Sequence, residues 1–143
     1  LDMAEKFDGT LVIVGDGPEK EELEKAAPGN VIFMDWLERG ELPGFYSGID
    51  VFVTASEGDT LGLSPLEANA CGTPVVAADN FPFTETVAGK NGIRFEPGNP
   101  GEPVEKVSKV LEDEFDTRAA VKDYSMEKTV DRLEEIYGGL DGD

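Results

Sequence analysis

Short continuous apolar runs alternate along this chain with stretches whose apolar positions recur at helical spacing. The runs TLVIVG (Thr10 to Gly15), NVIFMD (Asn30 to Asp35), DVFVTAS (Asp50 to Ser56), TPVVAAD (Thr73 to Asp79) and NGIRFEP (Asn91 to Pro97) predict strands. Helical patterns lie between them. PEKEELEKAA has Pro18 at its start, and RGELPGFYSGI reads as a short helix with a break. SPLEANACG has Ser64 as N-cap, Pro65 in the first turn and Gly72 as the stop. TETVAG is a helical turn. PVEKVSKVLEDEF and MEKTVDRLEEIY are amphipathic, with Val104, Val107, Val110 and Leu111 on one apolar face and Val130, Leu133, Ile136 and Tyr137 on the other. The opening LDMAEKF reads as the tail of a helix.

Continuous apolar strands alternating with helices predict an α/β, Rossmann-like three-layer domain: a central parallel sheet covered on both sides, with right-handed crossovers. Residues 1–137 form the expected domain, EPGNPGEP (Glu96 to Pro103) joins a strand to a helix, and 138–143 (GGLDGD) are an expected frayed tail. Ligands of such sheets bind beyond the carboxyl ends of the strands. The loops there are GDGP, DWLERG, SEGDTLGL and ADNFPF.

Charge sharpens this picture. The chain of 143 residues carries 31 acids against 12 bases, a net charge of −19. Such a surface repels nucleic acid and anionic lipid, which argues against a phosphate-backbone partner. The acids are interleaved with apolar runs, so the expectation is a folded domain with an acidic skin, suited to a salt-rich cytoplasm where screening weakens self-repulsion. Cys71 is the single cysteine and there is no histidine, so neither an internal disulfide nor a transition-metal site is expected. The absence of a leader or membrane-length apolar segment in this sequence favours a cytoplasmic location.

Two loops hold candidate chemistry. In GDGP, Gly15 and Gly17 allow a sharp turn that offers N–H groups ahead of a helix; a plain strand-to-helix turn explains the same residues. In SEGDTLGLSPLE, residues Thr60 to Ser64 lead into a helix whose free N–H groups and dipole form an anion site. Gly62 leaves room for close backbone approach. Glu67 lies near the helix start, where a carboxylate can accept from a ribose diol, and Asp59 precedes the loop, where it can hold sugar hydroxyls. A favourable helix-start acid and a turn-former are the plain alternatives.

These residues resemble the donor signature of retaining group 1 glycosyltransferases of the GT-B fold, family 4: an acid, seven residues, Glu, then Ala and a Gly-x-Pro-Val-Val strand. Here it reads Asp59 to Glu67 followed by ANACGTPVV. LVIVGDGPEKEEL, VIFMDWLERGELPGFYSGIDVFVTAS and NGIRFEPGNP are similar to the family in the same order. The family usually has Glu where Asp59 stands, and Glu57 is a competing candidate.

The resemblance implies a nucleotide diphosphate sugar as substrate, with no resident cofactor and no metal. Glu67 would hold the ribose. The amides of Leu61, Gly62 and Leu63, in the loop with Thr60, would face the diphosphate and sugar. Asp59 would touch the donor sugar, Trp36 and Leu37 would border the base through backbone groups, and Gly15 and Gly17 would line the floor. Trp36 also reads as a core or rim aromatic, and Phe45 and Tyr46 as core.

The family's first donor-domain strand, the following Arg- and Lys-bearing loop and the N-terminal acceptor-binding domain are missing, so no catalytic residue is assigned. A membrane-associated acceptor would be reached through that missing half. Arg39, Lys90 and Arg94 are scattered, and NFPFTETV stands where the family has paired glycines, with Glu85 matching its Glu. The fragment is expected to be inactive alone. A non-catalytic Rossmann-like binding or protein-interaction domain, or a flavodoxin-like phosphate binder, is the alternative.

Overall fold

The computed structural model describes residues 1–99 and 101–139. Strands β1 (Leu11–Val14), β2 (Val31–Met34), β3 (Phe52–Thr54), β4 (Val75–Ala78) and β5 (Gly92–Phe95) follow the expected order. They alternate with helices α1 (Lys20–Ala26), α2 (Leu42–Ser47), α3 (Leu63–Cys71), α4 (Phe83–Thr86) and α5 (Glu102–Glu112); α6 (Thr117–Ala120) and α7 (Met126–Gly138) close the chain. Ala4–Lys6 form a 3-10 turn where a helix tail was expected. The helix containing LPGFYS is short but unbroken.

All the pairings are parallel, as continuous apolar strands require. They form two ladders rather than one sheet: β1 with β2, and β3–β4–β5. The facing edges of β1 and β3 are not bonded to each other; an apolar cavity of about 670 Å³ lies between them.

Strand β4 is the centre of the core, with every residue buried. Its period-two alternation sends side chains to both faces. Val75 and Ala77 pack with Tyr46 of α2, Ala68 of α3, and Phe83 and Val87 at α4. Val76 and Ala78 pack with Phe95 and with Val107 and Val110 of α5. Thus α2, α3 and α4 cover one face of this ladder and α5 the other, the expected three layers.

A buried amide pair ties α3 to the start of β5. Asn69 donates to the carbonyls of Thr73 and Asn91, each at 3.0 Å. Asn91 donates to Asn69 Oδ1 at 2.9 Å and to the Thr86 carbonyl at 2.8 Å, so these buried polar groups are satisfied.

The amphipathic pattern of α5 is partly honoured: Val107 and Val110 are buried, whereas Leu111 is exposed. On α7 the whole stripe of Val130, Leu133, Ile136 and Tyr137 is exposed. Gly138 is still helical and the Gly139 amide bonds the Glu135 carbonyl, so these two residues of the expected tail continue α7 and its cap. Residues 140–143 of that tail lie outside the described residues.

Candidate functional site

The carboxyl ends of the parallel strands place five loops on one side of the domain, where ligands of such sheets bind. The loop from Ala55 to Gly62 follows β3 and feeds α3. The N-cap of α3 is Gly62, not Ser64 as the sequence pattern predicts. The reason is conformational. Gly62 sits at φ +70°, ψ +61°, and a Cβ built there would lie 2.7 Å from Phe83 Cε1. A left-handed backbone and close packing both demand glycine. Its missing side chain makes room for Phe83. Gly72 is the stop as expected, left-handed and bonding the carbonyls of Ala68 and Asn69.

Starting the helix at Leu63 leaves the amides of Leu61, Gly62, Leu63 and Ser64 with no hydrogen bond among the described residues. These are orphan donors at the positive end of a nine-residue helix. The Leu61 and Leu63 side chains are exposed beside them.

Glu67 lies in the second turn of α3, half-buried. The Tyr46 hydroxyl donates to its Oε2 at 3.3 Å. Tyr46 is 5% exposed and packs edge-on against Phe52, with ring centroids 5.7 Å apart. Burial, joined by the Glu67 charge, raises the Tyr46 phenol above its ordinary value, against a hydrogen bond with Ser64 that lowers it. The phenol therefore remains a donor across the physiological range. Tyr46 is core, as its sequence context suggests, and it also orients a candidate ligand acid. Nothing local in the sequence signals this, because the partner is 21 residues away.

Asp59, Thr60 and Glu57 are exposed on the loop, and neither acid forms an ion pair among the described residues. The loop is braced from the β4 end by Asn80, whose side-chain amide donates to the Ser56 carbonyl at 3.2 Å. Asn80 Oδ1 is buried with no protein partner. Nothing in the sequence pattern marked Asn80 for this bracing role.

The loop after β1 offers less to an anion than its glycines suggest. Gly15 adopts φ +130° and its amide is spent on the Met34 carbonyl at 3.1 Å. The Gly17 amide bonds Asp16 Oδ1 at 2.9 Å. Helix α1 begins only at Lys20. Lys20 is held by Asp35 at 2.6 Å, a contact that raises the lysine and lowers the carboxyl. Trp36 is 78% exposed, a rim residue and not core, and Leu37 beside it is half-buried. Arg94 is engaged by Asp79 at 2.6 Å and by the Val87 carbonyl, away from this loop. A second cavity, of about 400 Å³, lies by those two residues and α5, not at the start of α3.

The family model for glycosyl transferases group 1 matches residues 2–128. The chain is similar to sulfoquinovosyl transferase SQD2 of Arabidopsis thaliana, 40% identical over 126 residues, covering 83% of this chain and 24% of that protein. It is also similar to the GDP-mannose-dependent alpha-(1-6)-phosphatidylinositol dimannoside mannosyltransferase of Mycobacterium tuberculosis, 36% identical over 87 residues, covering 59% of this chain and 23% of the relative. The chain thus spans about a quarter of the length of these curated relatives. Among solved structures, Anabaena Alr3699/HepE in complex with UDP and glucose superposes with a TM-score of 0.80 at 21% identity, over 96% of this chain and 43% of that one. Sucrose-phosphate synthase from Thermosynechococcus elongatus superposes with a TM-score of 0.76 at 24% identity, over 97% and 40%. At these identities the two structures show a shared fold.

Proposed function

The chain belongs to the group 1 glycosyl transferases, and on that premise we propose that it is the donor-binding domain of a retaining enzyme that transfers a sugar from a nucleotide diphosphate sugar. The observation that carries this reading is the pairing of an anion cradle with an oriented carboxylate on one helix. The orphan amides of Leu61 to Ser64 suit a diphosphate. Glu67, a turn further along, is pinned through Oε2 by Tyr46, while Oε1 makes no bond among the described residues and suits a ribose diol.

The remaining roles follow the same direction along the donor. Asp59, or Glu57 on the same exposed loop, takes hydroxyls of the donor sugar. Trp36 and Leu37 border the base. Gly15 and Gly17 form floor without donating to phosphate, since their amides are engaged. The diphosphate is the leaving group, so donors aimed at it stabilise the charge that builds in the transition state. Acceptor binding and alignment fall to the N-terminal acceptor-binding domain of the whole enzyme, through which a membrane-associated acceptor would be reached. No resident cofactor or metal takes part in this reading.

Calorimetric titration with uridine, guanosine and adenosine diphosphates tests it. Saturable binding with a preference for one base is expected. Absence of binding by all three to the protein expressed from its full reading frame would contradict a donor site.

A further inference from the structure

We infer that Phe81 is a specificity-determining residue for the donor: its exposed ring is a platform for the apolar C–H face of the donor's pyranose. The inference rests on the donor-site reading above and extends it to the sugar.

The segment after β4, Asn80-Phe81-Pro82-Phe83, is fastened at two points to the loop between β3 and α3. Asn80 donates to the Ser56 carbonyl at 3.2 Å. Pro82 and Phe83, both fully buried, pack against Gly62, where a built Cβ would lie 3.5 Å from Pro82 Cγ and 2.7 Å from Phe83 Cε1. Phe81 joins these two anchors. Consecutive Cα atoms lie within about 3.8 Å of each other, so Phe81 stays beside the loop. The anchor points, Ser56 and Gly62, bracket residues 57–61, which carry Glu57 and Asp59. Phe81 therefore stands next to the acids that the donor reading assigns to sugar hydroxyls. Glu67, assigned to the ribose, lies further on, in the second turn of α3 beside Tyr46.

The exposure of this ring is informative because its neighbours are buried. Phe83, two residues on, is fully buried, whereas Phe81 is 61% exposed. Phe81 belongs to neither of the two apolar clusters that sandwich β4. Its ring contributes little burial to the fold, and a ligand that covers it gains what the core does not use. The anchors on either side hold its backbone, and a phenylalanine has only two side-chain torsions to fix, so the platform is ordered before the ligand arrives.

The chemistry of the pair selects a sugar. A pyranose carries hydroxyls around its rim and C–H groups on its faces. The carboxylates of Asp59 and Glu57 accept from the hydroxyls. An aromatic ring takes the C–H face out of water and fixes the plane of the sugar, which hydroxyl contacts alone leave free to tilt. Phe81 and Pro82 stand in NFPFTETV, where the resemblance places paired glycines. Glycines offer no such surface, so the platform is a feature of this chain.

Calorimetric titration of the protein expressed from its full reading frame tests this. The parent, Phe81→Ala and Phe81→Tyr are each titrated with UDP and UDP-glucose, and with GDP and GDP-mannose. With the pair that the parent binds, Phe81→Ala should keep its affinity for the bare diphosphate within about twofold and lose about fivefold or more on the nucleotide sugar. Phe81→Tyr keeps the ring and should match the parent on both. A thermal melt should be nearly unchanged, because the ring is exposed. Equal affinity of Phe81→Ala and the parent for the nucleotide sugar would overturn the inference and leave the donor reading standing. So would an equal loss on both ligands, which would assign Phe81 to the loop's shape. No binding of either pair by the parent would overturn the donor reading and this inference with it.

Discussion

The hydroxyl of Tyr46 on α2 and the carboxylate Oε2 of Glu67 on α3 lie 3.3 Å apart, phenol donating to acid. This contact makes a surface-facing glutamate a held group. A free glutamate side chain loses rotamer freedom when it binds, and one already oriented loses less.

Tyr46→Phe should therefore lower nucleoside diphosphate affinity about fivefold, equivalent to about 1 kcal/mol, with the fold intact. The ring contacts with Phe45 and Phe52 are kept, so the melting temperature should shift little. Calorimetry and a thermal melt separate the two effects. Unchanged affinity would mean that Tyr46 does not position Glu67. The raised phenol pKa also sets a pH window. Its protonated form is favoured in the fold, so its contribution is full below about pH 10 and fades as pH rises through the folded value.

Gly62→Ala should destabilise the domain by about 2–4 kcal/mol, combining a left-handed alanine with a clash on Phe83. Gly58, in the same loop, has φ in the ordinary range and open space around a built Cβ. Gly58→Ala should stay within about 1 kcal/mol of the parent. Denaturant unfolding of both variants checks the contrast.

The acidic surface makes a separate claim. Self-repulsion at a net charge of −19 is screened as the Debye length falls to about 3 Å at 1 M salt. Melting temperature should rise from low to molar salt. A flat or falling curve would remove the salt-adaptation reading.

The chain spans about a quarter of the length of its curated relatives, and on the proposed reading, in which acceptor binding falls to another domain, the purified chain should transfer no sugar from any nucleotide sugar. Product detected by mass spectrometry would show that this chain holds more than a donor half.

The order of strands and main helices was legible because local periodicity records it. Every apolar run became a strand within a residue or two of its expected limits. Three things were not legible, for different reasons. Tyr46–Glu67 and Asn69–Asn91 are non-local pairs, and no local pattern encodes a partner more than 20 residues away. The start of α3 was read as Ser64 because serine is a good cap, but packing of Gly62 on Phe83 overrides that preference. The α6 helix, four residues capped by Asp116, is too short to show a period, although the cap was visible in DTRA.

The central claim is that the cradle at α3 binds the donor with its two acids on different parts of it. Calorimetric titration of the parent, Glu67→Gln and Asp59→Asn in the full reading-frame protein, against the preferred nucleoside diphosphate and its sugar-bearing form, tests this most directly. Glu67→Gln should lose about tenfold or more on both ligands, the loss of charge-assisted bonds of about 1.5–3 kcal/mol. Asp59→Asn should leave the bare diphosphate nearly untouched and weaken only the nucleotide sugar. Equal losses from both substitutions on both ligands, or no loss from either with circular dichroism unchanged, would contradict it.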